Sequence, residues 1–347
     1  MVLIYIINYL INVFKIHLQS RHLNAVIALI TITLAAVVVG TRPLDAGFDT
    51  KGYVAAYNLL DKNLFQSLLL IREYFGVAIE PFFWGYAWLL SKSGLSDEAF
   101  LFVTAFLSIF LTYLAYRKLD CNYHYLSFIG VIFSGSFINL YGNAIRQGLA
   151  IPFFLMAFYH FQRGNHGKVF LLAVITFLCH QFTGMLIVLF YAIQFVPFKF
   201  YPIIWLGCLF TSFVLMTGVL SFVPGLAPYI KGGSFAYLIH PTYLEFPIYY
   251  FFIMKFELLE DKYFEKLFQF VAVVFLLQTL FIFNIYSYNR AGLLRFILEP
   301  IIYTRILLQI KPVKASRQIA LFAFFVYGLA IYLSEIVQKT LSSTSVK

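Results

Sequence analysis

The sequence has 347 residues, 62% of them hydrophobic and only 12% charged, with a mean hydropathy of +0.85. Those proportions exclude two soluble domains, although the length would hold them, and the continuous, non-alternating apolar runs argue against a β-barrel. What fits is one all-α integral membrane domain over residues 1–347, in which the net charge of +10 first reflects cytoplasmic loops and not a nucleic-acid partner.

In chain order, Met1 to Phe14 is short for a full span, and the lack of a basic leader or a small-residue cleavage site reads as a retained membrane segment. Leu23 to Val39 crosses outward and delivers the most polar stretch of the chain, Gly40 to Tyr53 (GTRPLDAGFDTKGY). Residues 58–98 mix charge with aromatic patches, the pattern of interfacial or re-entrant helices. Ala99 to Tyr116 is a clear span ending in Arg117-Lys118, and Tyr123 to Tyr141 returns outward to GNAIRQG at Gly142 to Gly148. Leu149 to Phe161 goes back to QRGNHGK.

Val169 to Val196 has a lysine at both flanks, Lys168 and Lys199, yet one helix of that length would run to about 42 Å. A hairpin with CHQFTG (Cys179 to Gly184) at its tip reconciles length and charge. Tyr201 to Val219 crosses outward to a Pro/Gly-rich, lid-like loop at Ser221 to Glu245, and Phe246 to Phe256 returns. Leu267 to Phe283 leads out to YSYNRAG, Leu293 to Ile310 comes back, and Ile319 to Val337 is the last span. The expectation is about 12 transmembrane helices at about 20 residues each, with re-entrant or interfacial helices on the outer side. Cys121, Cys179 and Cys208 show no CxxC spacing, so neither a disulfide framework nor a metal cluster is indicated.

Once the cytoplasmic loops have taken their Lys and Arg, Arg42, Arg146 and Arg290 remain, each in a Gly- or Asn-containing polar motif at the outer end of a helix. Converging guanidinium groups bind phosphate well, because their fork matches phosphate oxygens bidentately. The bland alternatives are an interfacial anchor for Arg146, an ion pair with Asp45 or Asp49 for Arg42, and lipid headgroup binding for Arg290.

The series G-T-R-P-x-D-x-G-x-D-T-x-x-Y, the Glu-Pro-Phe-Phe at Glu80, N-A-I-R-Q-G-L-A and F-L-C-H-Q-F resembles the EpsG-like branch of the Wzy-type O-antigen and exopolysaccharide polymerases. The resemblance is strongest over residues 1–200 and rests on hydropathy and NRAGLLR in the last third. It implies a multi-pass bacterial inner-membrane glycosyltransferase working on the periplasmic side without metal or cofactor. Its substrate would be an oligosaccharide on undecaprenyl pyrophosphate, with membrane lipids and a chain-length regulator protein as further partners.

Such chemistry needs a group to stabilise the leaving pyrophosphate and a base for the attacking sugar hydroxyl. Arg146, with its neighbour Gln147, Arg42 and Arg290 are the substrate-binding candidates, joined by Tyr53 as a ring for stacking on sugar. Arg295 is also a candidate, although its spacing to Glu299 favours an intrahelical ion pair. For the base, Asp49 and His180 compete; their bland roles are an Asx turn cap and a hydrogen-bonded core histidine. Glu80, among aromatics, would orient the acceptor or neutralise an arginine. A flippase of lipid-linked sugars, which should show inverted repeats, and a ligase using the same donor are the rival readings.

Overall fold

The structure, a computed structural model, describes residues 9–10, 21–44, 49–60, 63–75, 80–119, 124–134, 136–216, 250–251, 253–254 and 262–310, with isolated positions between 315 and 326. The lid-like loop at Ser221 to Glu245, most of the Phe246 to Phe256 return, most of the Met1 to Phe14 segment and most of the last span lie outside the described residues. All the described elements are helical. They fall into two compact units, Met1–Met185 with Ile310–Lys347, and Leu186–Gln309.

In the first unit, α1 (Arg21–Gly40) is the expected first long helix. Gly40 ends it where a Cβ would stand 2.7 Å from the Cα of Phe102, so only glycine allows this close approach to the helix beyond. Three short helices follow, α2 (Thr50–Tyr57), α3 (Leu64–Phe75) and α4 (Pro81–Lys92), of 8, 12 and 12 residues. None approaches the roughly 20 residues a crossing needs. Pro81 opens α4, where its missing N–H costs nothing.

The central element is α5 (Asp97–Leu119), 23 residues with a mean hydropathy of 2.0, carrying Asp97 and Glu98 in its first turn and Arg117 and Lys118 in its last. That charge order complements the helix dipole at both ends. It packs against α1 on one side and α7 (Ile145–Gln162) on another.

Between α5 and α7 the single crossing expected over Tyr123 to Tyr141 is broken. Helix α6 (His124–Ile132) stops, and after a bend of 85° a short turn runs into a π-helical turn at Asn139–Asn143. The sequence there is Ser134-Gly135-Ser136, and the Ser134 hydroxyl donates to the Val131 carbonyl at 2.8 Å, closing the helix end. Hydropathy averages over that break, which is why the segment reads as one span.

Helix α8 (His166–Cys179) starts on an Asn165 cap whose side chain accepts from the Lys168 amide, and α9 (Gln181–Ile193) begins two residues after α8 ends. His180 between them is extended, at φ −159° and ψ 107°. A Cβ on Gly184 would lie 2.5 Å from the Cα of Phe177, so the chain doubles back on itself there and needs a glycine to do it. The turn falls within the Cys179 to Gly184 tip expected from the matched flanks.

The second unit holds α10 (Tyr201–Met216), which packs against α11 (Lys262–Leu280), and α12 (Ile285–Ile310). Phe264–Phe283 is the second helix long and apolar enough to cross a membrane. Helix α12 begins eight residues earlier than the expected Leu293, because the Asn284 side chain accepts from the Ser287 amide at 3.0 Å and caps it. YSYNRAG is therefore helix, and not the polar loop expected. Among the described residues two helices qualify as spans, or three counting the bent pair, so the expected count of about 12 is not reached by those described.

Candidate functional site

The site grows from the beginning of α7, where the π turn re-aims the chain. Such turns insert a residue and displace the helix register, and they recur at functional sites. Arg146 sits on the first turn of α7 and reaches back to two distant segments. Its Nε donates to the Tyr53 hydroxyl at 3.2 Å, its guanidinium carbon lies 5.5 Å from the Tyr53 ring centre, and its Nη1 meets Glu80 Oε2 at 2.6 Å. The side chains of that pair are 19% and 7% exposed, so the arginine is reachable while the carboxylate is covered.

Tyr53 is fixed in turn by burial. It belongs to an aromatic cluster with Tyr57, Phe83, Trp84 and Phe100, which ties α2 to α4, α5 and α7. Tyr57 stacks on Phe100 at 4.2 Å and donates to the Leu95 carbonyl at 3.0 Å. The wall carrying Tyr53 is thus held by apolar area and aromatic contacts.

Arg42 follows α1 by two residues. Its Nε and Nη2 reach the Thr50 hydroxyl at 3.3 and 3.4 Å, Nη1 donates to the Val39 carbonyl, and its stem lies over Gly142. Its described hydrogen-bond partners are a hydroxyl and a carbonyl, and Asp45 is outside the described residues. Burial pulls the Arg42 guanidinium below its ordinary value, opposed by the nearby Tyr53 oxygen. Arg42 thus holds Thr50, at the start of the helix that carries Tyr53, while Arg146 holds Tyr53 itself, so both arginines are tied to α2.

Asp49 precedes α2, but its side chain makes no capping hydrogen bond to that helix. The turn-cap role is absent. Its main-chain N–H donates to Asn143 Oδ1 at 2.8 Å, while Asn143 Nδ2 donates to Asn139 Oδ1 at 3.1 Å across the π turn. Asp49 also lies within electrostatic range of Arg146.

His180 differs. It is 9% exposed, its Nδ1 is 2.8 Å from the Thr183 hydroxyl, and the Thr183 amide donates to the same nitrogen at 3.4 Å. The imidazole therefore does the work of a helix N-cap, satisfying donors that open α9. The next residue completes the site: the Gln181 amide donates to Glu80 Oε1 at 3.1 Å. Glu80 thereby bridges Arg146 and the N-terminus of α9.

Gln147, the next residue, is fully buried. Arg290 and Arg295 belong to the second unit, both on α12. Arg290 is half-buried. Arg295 is 1% exposed, pairs with Glu299 at 2.6 Å along its own helix, and lies near the Phe275 and Phe296 rings. The intrahelical pair expected from the spacing is present.

Sequence reasoning missed three contributors, Thr50, Asn143 and the main chain of Gln181. Asn139 and Asn143, four apart beside Gly142, were the available signal, since two amides on one helical face seldom lack a partner.

A model of the EpsG family matches residues 25–345, nearly the whole chain. Neither a curated protein nor a solved structure matches it.

Proposed function

The chain belongs to the EpsG family, and from that premise, which implies a membrane protein of polysaccharide-polymerase type, we propose that it is a polysaccharide polymerase. It moves a growing glycan from undecaprenyl pyrophosphate onto the next lipid-linked repeat unit at the periplasmic face of the bacterial inner membrane. The observation that carries this reading is the meeting of four polar motifs, far apart in sequence, around Arg146: Arg42 with Asp49 and Tyr53, Glu80, Asn143, and His180 with Gln181.

In this mechanism Arg146 and Arg42 hold the pyrophosphate of the donor. An acceptor hydroxyl attacks the anomeric carbon, a new C–O bond forms, and the sugar–phosphate C–O bond breaks with its electrons passing to the phosphate oxygen. The hydroxyl proton goes to Asp49. One observation favours Asp49 over His180 as that base: the Nδ1 of His180 is committed to opening α9. Guanidinium groups already in place lower the cost of the developing phosphate charge without reorganisation. Tyr53 keeps Arg146 aimed.

The test is a polysaccharide gel from a deletion strain, with the wild-type chain and Asp49→Asn supplied back. Single-unit product without the chain, and ladders only with wild type, are expected. Full-length polymer left on its lipid carrier would identify a ligase instead, and repeat units trapped on the cytoplasmic side would identify a flippase.

A further inference from the structure

We propose that Glu80 is a resident stand-in for the donor's phosphate, occupying the anion seat of Arg146 at rest and giving it up when a diphosphate arrives. The inference rests on the reading of Arg146 as the diphosphate grip.

The seat has two donors on one carboxylate, a cation at one oxygen and a helix-terminal N–H at the other. One is the Arg146 guanidinium, 2.6 Å from Oε2; the other is the first amide of α9, 3.1 Å from Oε1. An arginine facing a helix N-terminus is the environment phosphate oxygens favour, because both donors point at the anion and the helix dipole adds partial positive charge. Glu80 itself starts α4 but makes no capping bond there, so its side chain is committed across the fold instead of to its own helix. The 19% exposure of Arg146 against 7% for Glu80 means that an incoming anion meets the guanidinium before the carboxylate.

Two consequences follow from this arrangement. A diphosphate that takes Arg146 does not leave Glu80 as an isolated buried charge, since the Gln181 amide still holds Oε1; displacement is thus a change of partner and not a loss of all partners. After the glycosyl bond has formed, the returning carboxylate competes with the pyrophosphate product and speeds its departure. Glu80 sets the balance between capture and release.

The experiment uses the full chain in nanodiscs and measures binding of inorganic pyrophosphate by calorimetry. In Glu80→Gln the competitor has lost its charge, and pyrophosphate should bind roughly tenfold tighter, within the usual range for coupled sites. Gln181→Pro gives the opposite sign. Gln181 is the first residue of α9 and follows an extended His180, so proline fits and removes the N–H together with the side-chain amide, which Gln181→Ala removes alone as the control that should leave binding unchanged. The displaced carboxylate then loses its holding amide, and pyrophosphate should bind several-fold more weakly.

Equal or weaker binding in Glu80→Gln overturns the proposal, as does unchanged binding in Gln181→Pro, which a purely long-range charge effect would leave alone. Should Glu80→Gln not fold, Glu80→Asp, with its shorter reach to Arg146, takes its place and tighter binding is again required. Failure of the underlying reading looks different: wild type would then not bind pyrophosphate, or Arg146→Ala would bind it as well as wild type.

Discussion

Two arginines in this molecule pair with a glutamate at the same 2.6 Å, yet their surroundings are opposites. Arg295 meets Glu299 four residues along one helix, 1% exposed and beside two phenylalanine rings. Arg146 meets Glu80 across 66 positions of sequence, is partly open, and shares its guanidinium with Tyr53. A local pair forms as soon as its helix forms and needs no other reason to exist. A pair assembled from separate segments fixes a loop, a short helix and a hairpin corner around one cation. The second arrangement costs far more chain entropy to build, and it leaves the cation reachable. On the proposed function, the difference separates a charge that completes a fold from one that faces a ligand.

The sharpest way to break this comparison is to truncate each arginine. Arg146→Ala should lower chain extension by about a hundredfold or more, the scale of a lost oxyanion-type donor, with the chain still inserted in the membrane at normal level. Polymer ladders and membrane immunoblots report the two quantities separately.

Next in size is the other pair. Arg295→Ala removes the cation that faces the buried Glu299 and should cost about 3–5 kcal/mol of stability. That loss would be seen as a fall in protein level and in detergent melting temperature. The double change Arg295→Met with Glu299→Leu should recover most of that loss, since apolar residues of similar volume can replace a buried pair at little cost. The equivalent double change at Arg146 and Glu80 should recover folding but no activity. If it restored polymer, the distinction between the pairs would fail.

The smallest effect is expected at Asn143, which positions Asp49 through its main-chain amide. Asn143→Ala should reduce turnover by about tenfold, corresponding to one net hydrogen bond of about 1–1.5 kcal/mol. Melting temperature should stay close to wild type. A shift in melting temperature alone would make Asn143 a fold residue like Arg295.

The same contrast explains what was legible in the sequence. Arg42 and Arg146 stood out because a cation in an apolar chain needs a reason, and the matched lysines around Val169 to Val196 located the turn near His180. The i,i+4 spacing of Arg295 and Glu299 also predicts their contact from one helix alone. The bridge from Glu80 to Gln181 and the bond from Asn143 to Asp49 were not legible, since each joins residues about a hundred positions apart and depends on how helices pack. The break after Ile132 and the early start of α12 were missed for a different reason. Side-chain caps at Ser134 and Asn284 decide them, and hydropathy does not see single hydrogen bonds.

The three short helices α2, α3 and α4 carry a last implication. Because none of them is long enough to match a bilayer, their placement is set by the aromatic cluster that binds α2 and α4 to α5 and α7. A thicker or thinner lipid environment acts on the long helices by tilting them. The wall that bears Tyr53 and Glu80 would ride with that tilt as one piece, so acyl-chain length should alter how the lipid carrier approaches before it alters the spacing between Tyr53, Glu80 and Arg146.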